Sequence, residues 1–506
     1  MNGSSIYNSN PNSGFLSTWV QRVNEGRSHE ALALIRAERL RNKRMSAFDP
    51  SPQRNKTRIL FFTHYFPPEG NAPASRVYEM CKRWARAGYD VTVVTCAPNH
   101  PLGVLYRGYR NRLVQRRMVD GIRVIRVWTY LAANKGKRRR ALNFLSYMAS
   151  ATVAGALVCR RPHVLIATSP QFFCGWAGVL VSFVRRIPLI LEIRDIWPES
   201  AHAVGAMAKS SVLRWLEWLE LRMYRCAYRI VTVGEGYKEQ LIRRGVDAAK
   251  IDIVTNGVDR DLFNARTSGD SIRQRYRLGK RFVVAYVGTI GMASGLDVVL
   301  RAARILRAKG RDDIALLMVG EGSNRAQLQR SARAESLKNV IFTGRLDKSL
   351  MPEALAAANA CLVHLRKQAL FESVLPSKIF EAAGMKKPII LGVKGHAAAL
   401  IKRAGAGLCV EPENENQIVA AIEQLAADPE LCQRFGESGC AYIRAHFDRD
   451  KLSGDYLRIM NDVIARSRSA EPRRPDPRPI DSHPNHSHAN DSRPTNTPAV
   501  TTGAAS

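Results

Sequence analysis

Short apolar runs recur along the chain, each followed by a loop and a helix-length stretch, and this repeat restricts the fold to layers of helix on a largely parallel sheet. Arg58-Ile-Leu-Phe-Phe-Thr63 reads as a buried strand. His64-Tyr-Phe-Pro-Pro-Glu-Gly-Asn-Ala-Pro-Ala74 follows as a loop of small and turn-forming residues. A helix over 75–87 then turns Val77, Met80, Cys81 and Trp84 inward, Gly88 ends it, and 89–95 is the next strand. A loop after the first strand of such a unit is where doubly wound sheets bind ligands, although this one lacks the GxGxxG of dinucleotide sites. Further strands are expected at 121–127, 163–168, 188–193, 229–233 and 251–255. The series then restarts. A strand at 281–287 runs into Gly288-Thr-Ile-Gly-Met-Ala-Ser-Gly295, 296–309 is a helix, and 314–319 followed by Gly320-Glu-Gly-Ser repeats the theme. Two α/β domains result, 58–265 and 266–445, with an open cleft between them and a closing helix at 446–465.

Within the second series, Pro376-Ser-Lys-Ile-Phe-Glu-Ala-Ala-Gly-Met-Lys-Lys-Pro-Ile-Ile390 carries chemistry. Pro376 suits a first helical turn, Pro388 forbids continuation, and 377–385 is the helix between them. Lys378 and Glu381 are three apart and share a face. At a helix N-terminus, Lys378 can meet a phosphate. Glu381, one turn on, can accept two hydroxyl hydrogen bonds, as a ribose offers. The competing reading is a solvated ion pair. Arg194-Asp-Ile-Trp-Pro-Glu-Ser200 is a second charged cluster, at the C-terminal end of a strand.

The net charge of +33, from 77 Lys+Arg against 44 Asp+Glu, draws the protein to polyanions: nucleic acid, an anionic membrane surface or phosphorylated substrates. Zinc-finger spacing and RNA-binding aromatic signatures are missing, which disfavours nucleic acid. The nine cysteines form no CxxC pair and sit mostly in apolar runs, as reduced cytosolic thiols do. Residues 141–159 carry no charge, follow Lys135-Gly-Lys-Arg-Arg-Arg140 and precede Arg160-Arg161. Asn143, Ser146, Tyr147, Ser150 and Thr152 make this a poor membrane span. A helix packed on the sheet with one face near lipid headgroups is expected instead. The ends, 1–57 and 466–506, are too polar to form a core and are expected to be disordered extensions.

His64-Tyr-Phe-Pro-Pro-Glu-Gly, Glu192-Ile-Arg-Asp-Ile-Trp-Pro-Glu-Ser, Asn256-Gly-Val-Asp and Pro376-Ser-Lys-Ile-Phe-Glu, in this order and spacing, together resemble the GT4 family of GT-B glycosyltransferases. The similarity spans about 58–465 and is greatest to the WbuB-like amino-sugar transferases of surface-polysaccharide assembly. It implies two Rossmann-like domains, a nucleotide-sugar donor in the second, an acceptor against the first, and retention of anomeric configuration. Polyprenyl-diphosphate acceptors at the inner leaflet of the cytoplasmic membrane are frequent in the family, which implies a cytoplasmic enzyme held at that anionic surface. By the same resemblance Glu381 binds the donor ribose, Gly288 and Gly291 line the diphosphate, Arg345 lies near the base, and Gly70 faces the reaction centre. Gly320, in the corresponding loop of the next strand, joins the donor set.

Two departures stand out. Many members carry glutamates eight apart, but eight before Glu381 is Ser373, and Glu372 is nine before. Either Glu372 is displaced by a bulge, or the backbone around Ser373 and Val374 meets the sugar. Many members also clamp the diphosphate with an Arg and a Lys, where this chain reads Gly291-Met-Ala-Ser-Gly295. The leaving diphosphate still needs positive charge. Lys378 is the candidate, with Arg366 second. Asp195 and Glu199 are candidates to orient the acceptor, with Arg194 beside them, and His64 to position or polarise it; each has an ordinary structural alternative. No metal-ligand cluster stands out, so metal-independent, cofactor-free chemistry is expected. Two alternatives remain: a nucleotide-sugar epimerase of the same architecture, and a non-catalytic sugar-binding scaffold at the membrane.

Overall fold

Strands that are apolar on both faces have to be covered on both faces. The computed structural model describes residues 56–469, apart from 101, 134–136, 170–171 and 197–210, and shows two sheets sandwiched in this way. The N-terminal domain runs β1 (Arg58–Phe62), α1 (Ala72–Arg86), β2 (Asp90–Cys96), β3 (Val114–Val119), β4 (Ile122–Val127), α2 (Lys137–Val153), β5 (Val164–Thr168), α3 (Phe172–Arg185), β6 (Leu189–Ile193), α4 (Ser211–Cys226), β7 (Arg229–Thr232), α5 (Glu235–Arg243) and β8 (Ile251–Ile253). Its strand order is β3-β4-β2-β1-β5-β6-β7-β8, parallel except for β3 against β4. The register sets Ile59 against both Val91 and Val164. Helices α2 to α5 cover one face around Phe62, Tyr147, Val181 and Tyr224.

The C-terminal domain follows with α6 (Asp270–Arg275), β9 (Phe282–Val287), α7 (Asp297–Ala308), β10 (Ile314–Val319), α8 (Arg325–Ala334), β11 (Val340–Gly344), α9 (Met351–Ala356), β12 (Ala360–His364), α10 (Lys378–Gly384), β13 (Ile389–Gly392), α11 (His396–Ala404), β14 (Gly407–Cys409), α12 (Glu415–Ala427) and α13 (Pro429–His446). Its order β11-β10-β9-β12-β13-β14 is wholly parallel and reverses at β9–β12, so the crevice that such a sheet offers a ligand opens above Gly288 and the β12 end.

The last helix, α14 (Arg449–Ser469), returns to the N-terminal domain. Leu452, Tyr456, Met460 and Val463 join the core under α1, and the Trp84 ring lies 5.1 Å from that of Tyr456. The chain therefore crosses between domains twice. The two crossings lie side by side, with Val258 N–H on Phe447 O (3.0 Å) and Arg449 N–H on Val258 O (3.2 Å). Arg76 of α1 holds the first crossing: it pairs with buried Glu192 (2.8 Å) and donates to the carbonyls of Val254 and Thr255, 2.7 Å each.

Several elements differ from expectation. β3 was not foreseen, because as an antiparallel edge strand it keeps Gln115, Arg116 and Arg117 toward solvent and shows no apolar run. α13 was also missed, although Asp428 caps it through Leu431 N–H (2.8 Å) and Pro429 occupies its first turn. α14 continues to Ser469, so residues 466–469, expected in a disordered tail, are helical. α2 lies on the sheet and ends in one π turn, Ala154–Val158, where a Cβ on Gly155 would come within 2.4 Å of Phe62. The proposed extensions otherwise fall at 1–55 and 470–506, outside the described residues.

Candidate active site

The β9 end of the cleft is built first from backbone. Gly288 ends β9 at φ +141° and Gly320 ends β10 at φ +136°. A Cβ on Gly320 would sit 1.9 Å from Gly288 O, and one on Gly288 would sit 2.4 Å from Lys378 Cε. Gly320 has backbone where a side chain would go, and both positions hold a φ that favours glycine, so the loops close on each other and Lys378 lies directly over the β9 end. The Lys378 ammonium is 5.1 Å from the centre of the Tyr286 ring. The Tyr286 hydroxyl in turn meets Thr289 O (2.7 Å) and Ser294 Oγ (2.9 Å), which pins the 288–295 loop. His364 fixes it from below: Glu413 N–H donates to Nε2 (2.8 Å), so Nδ1 carries the proton and donates to Ser294 O (2.7 Å). Burial lowers the pKa of this imidazole, in keeping with a neutral structural role.

Glu381 lies one turn along α10 from Lys378. No described side chain or backbone N–H donates to its carboxylate. Burial raises its pKa, while Arg449, Lys378 and Lys348 pull it down. Three cations from three separate elements thus surround one open carboxylate. Arg449 begins α14 and donates to Gly257 O (3.0 Å); its Nη1 is buried without a partner. Lys348 precedes α9 and reaches across the cleft to Glu79 of α1 (3.1 Å).

Arg345 also spans the cleft. It donates to the Tyr106 hydroxyl (3.2 Å), and a Cβ on Gly70 would lie 3.3 Å from its Nη2. The Gly70 loop is held rigidly. Glu69 accepts from Asn99 N–H (3.0 Å) and His100 N–H (2.9 Å), and Arg126 donates to Pro67 O. His64 lies beneath the loop, ringed edge-on by Tyr65, Phe144 and Tyr147 at 4.9–5.3 Å. Burial, aided by His100, lowers its pKa to about 3, so it is a neutral imidazole.

The residues singled out in the sequence divide accordingly. Lys378, Glu381, Gly288 and Gly320 converge at the β9 end, with Gly291 opening the short turn that follows. Gly70 and Arg345 face each other across the cleft. Others are engaged elsewhere. Arg366 donates to Met292 O (2.7 Å) and pairs with Asp297 (3.4 Å), which makes it a support for the loop. Ser373 is buried against α5, where Gln240 donates to its Oγ (2.8 Å), and Glu372 points to solvent. Arg194 donates to Ser169 O (3.0 Å), and the Asp195 carbonyl accepts from Ser169 Oγ (3.2 Å). The Asp195 charge lies near Glu220, whose pKa burial raises to about 7. Glu199 lies outside the described residues. Lys348 and Arg449 were not singled out, because only the fold brings them to Glu381. His364 carries no motif, although a lone histidine ending a buried strand was visible. Among the described residues no group of three or more His, Cys, Asp or Glu could hold a metal ion.

Two facing parallel-sheet α/β domains, with a lysine and an open carboxylate at the β9 end of the cleft between them, form a GT-B architecture. Comparison with known proteins agrees. The family model "Glycosyl transferases group 1" matches residues 269–441, and "Glycosyl transferase 4-like domain" matches 71–257. The chain belongs to this GT4-like family and is a glycosyltransferase. It is 24% identical over 390 residues to the putative colanic acid biosynthesis glycosyl transferase WcaI of Escherichia coli K12, covering 72% of this chain and 91% of that one. Among solved structures it resembles a sucrose-phosphate synthase from Thermosynechococcus elongatus (TM-score 0.65, 17% identity, 81% of this chain and 100% of that one). It also resembles Anabaena HepE in complex with UDP-glucose (TM-score 0.61, 15% identity, 80% and 99%).

Proposed function

We propose that the protein is a retaining glycosyltransferase of polysaccharide biosynthesis, which moves a sugar from a UDP-linked donor to a lipid-linked acceptor. The observation that carries this reading is the Lys378 ammonium seated over Gly288, one helical turn from the unengaged Glu381 carboxylate. A nucleoside diphosphate laid along this edge places its ribose hydroxyls on Glu381 and its phosphates beneath Lys378. Positive charge there stabilises the diphosphate as its bond to the sugar breaks, and loop N–H groups of 288–291 add to it. The acceptor hydroxyl attacks from the face that the diphosphate leaves, and the departing phosphate takes its proton. This requires no protein base, which agrees with the low basicity of His64, buried among aromatic rings. The name of WcaI supports the polysaccharide role, and the UDP-glucose bound to HepE supports a nucleotide-sugar donor. A HexNAc or deoxy-amino sugar as the transferred group, a polyprenyl-diphosphate acceptor and a cytoplasmic location follow from the WbuB-like motif set.

The test is turnover by purified protein with a panel of UDP- and GDP-sugars and a membrane lipid extract. UDP release from one donor, dependent on the extract and indifferent to EDTA, with the product's anomeric configuration retained by NMR, is expected. An inverted product overturns the retaining mechanism. Extract-independent interconversion of the donor sugar indicates an epimerase, and tight binding without turnover indicates a scaffold.

A further inference from the structure

Helix α10 is seated on the two crossings between the domains. The Phe380 ring lies 5.0 Å from that of Phe447, and a Cβ on Gly384 would come within 2.7 Å of Val258 Cγ2. Glu381 sits between these two contact points on the same helix. Arg449 stands two residues past Phe447, where the second crossing becomes α14. It is tied to the first crossing twice, through its backbone N–H on Val258 O (3.2 Å) and its Nε on Gly257 O (3.0 Å). Farther along, α14 belongs to the N-terminal core through Tyr456 and Met460. A guanidinium carried by one domain's helix is therefore delivered to the carboxylate of the other.

The charges around this arginine leave one partner open. Its acidic neighbours are Glu381, Glu79 and Asp259, and its cationic neighbour is Arg83. Glu79 is engaged by Arg83 (3.0 Å) and Lys348 (3.1 Å). Asp259 is engaged by Arg83 (3.1 Å) and by the N–H groups of Asp261 (3.1 Å) and Leu262 (3.2 Å). Of the three, Glu381 is the carboxylate that no described group bonds. Arg449 in turn forms no ion pair among the described residues, and its Nη1 is sealed from solvent without a partner. The two charges compensate each other across a gap rather than in a bond, which leaves the Glu381 oxygens free to accept hydroxyl groups. The other cations facing Glu381 are Lys378 and Lys348. Lys348 is committed to Glu79, and Lys378 lies over the β9 end, where the phosphates are placed. Arg449 has no competing assignment, and a guanidinium stays charged at every working pH.

We propose that Arg449 is a positioning residue for the donor site: from the interdomain crossing it keeps Glu381 ionised, and so able to accept the ribose hydroxyls, and it acts through that carboxylate rather than on the ligand. This rests on the reading of Glu381 as the ribose ligand. Burial works against ionisation and raises the Glu381 pKa, and Arg449 is the foremost of the charges that pull it back down. Donor affinity thus depends on a residue outside the donor domain's own sheet and helices, held in place by the packing of α14 on the other domain.

The experiment titrates Glu381 in the full chain by two readouts. One is the infrared carbonyl band of its protonated carboxyl, identified by its loss in Glu381→Gln. The other is UDP affinity by calorimetry, taken relative to Glu381→Gln so that the titration of UDP itself cancels. In Arg449→Gln both midpoints should move up by about one pH unit. UDP affinity should then fall about tenfold on the acid side and return to the wild-type value at alkaline pH. Arg449→Lys keeps the charge but loses the Nε bond to Gly257 O, and should titrate as the wild type whatever its melting temperature. Lys348→Gln should move the midpoints less. A merely structural arginine gives a different pattern: affinity lost equally at every pH, with lysine no better than glutamine. That pattern, or an unmoved infrared midpoint in Arg449→Gln, overturns the positioning role and leaves the ribose reading standing. A UDP affinity indifferent both to pH and to Glu381→Gln overturns the ribose reading, and the positioning role with it.

Discussion

The two domains meet the cleft with different materials. The C-terminal domain offers backbone: glycine loops packed against each other, braced by a neutral histidine and a tyrosine, with the cations of several elements turned on one carboxylate. The N-terminal domain offers buried side chains in fixed states: a neutral His64 in an aromatic ring and a Glu69 occupied by two N–H groups. The contrast teaches where charge is available to change. In the C-terminal domain the Glu381 carboxylate accepts no hydrogen bond from any described group; in the N-terminal domain the polar groups already have their partners or are sealed from water.

Removing the donor-side charge should therefore break the contrast most strongly. Lys378→Ala is expected to lower kcat by about 10²–10³-fold with a smaller change in donor KM, measured by nucleotide release, as for loss of one group aimed at developing charge. Glu381→Gln should instead weaken UDP binding by roughly ten- to a hundredfold in calorimetry, the value of a charge-assisted hydrogen bond. Next comes pH. Burial raises the Glu381 pKa above its ordinary 4.5, and a protonated carboxyl accepts hydrogen bonds poorly. UDP affinity should fall as pH drops through this raised value, and Glu381→Gln should remove the dependence. A pH-independent wild-type affinity between 4.5 and 7 would count against Glu381 as the ribose ligand.

The backbone half of the contrast is tested by Gly320→Ala, whose Cβ meets Gly288 O at φ +136°. A loss of about 1–3 kcal/mol in denaturant unfolding is expected, together with weaker UDP binding. On the acceptor side, His64→Gln should leave the shape of the pH–rate profile between pH 5 and 8 unchanged. A group that titrates at about 3 contributes no inflection there, so loss of one in the variant would overturn the neutral assignment. The smallest effect is expected from Lys348→Ala. Its pairing with Glu79 is 39% exposed at the lysine, and exposed pairs contribute about 0.2–1 kcal/mol. Thermal unfolding should barely move.

Much of this was legible in the chain itself. Fully apolar strands such as Val164–Thr168 and the punctuation of Pro376 and Pro388 around one short helix are local signals, and the fold follows them. Lys378 and Glu381 were found because helical spacing alone puts them on one face. The side chains of Arg366 and Ser373 are engaged in ways that no local pattern announces. One is drawn under the 288–295 loop by Asp297 and Met292 O, and the other meets Gln240 across the domain boundary. Arg449 had no signal, since its meeting with Glu381 depends on where the last helix lands. β3 shows the limit for an edge strand, whose exposed faces leave no alternation to read.

That last helix has a consequence for how the chain is made. Ribosomes deliver the N-terminal sheet first, yet Trp84 and the strands beneath α1 lack their cover until Tyr456 and Met460 emerge, after the whole second domain. The first domain must wait, with one apolar side open, while its successor is synthesised and folds. Nascent chains halted before 449 should thus be chaperone clients, and a stop codon in α14 should damage the domain encoded farthest from it.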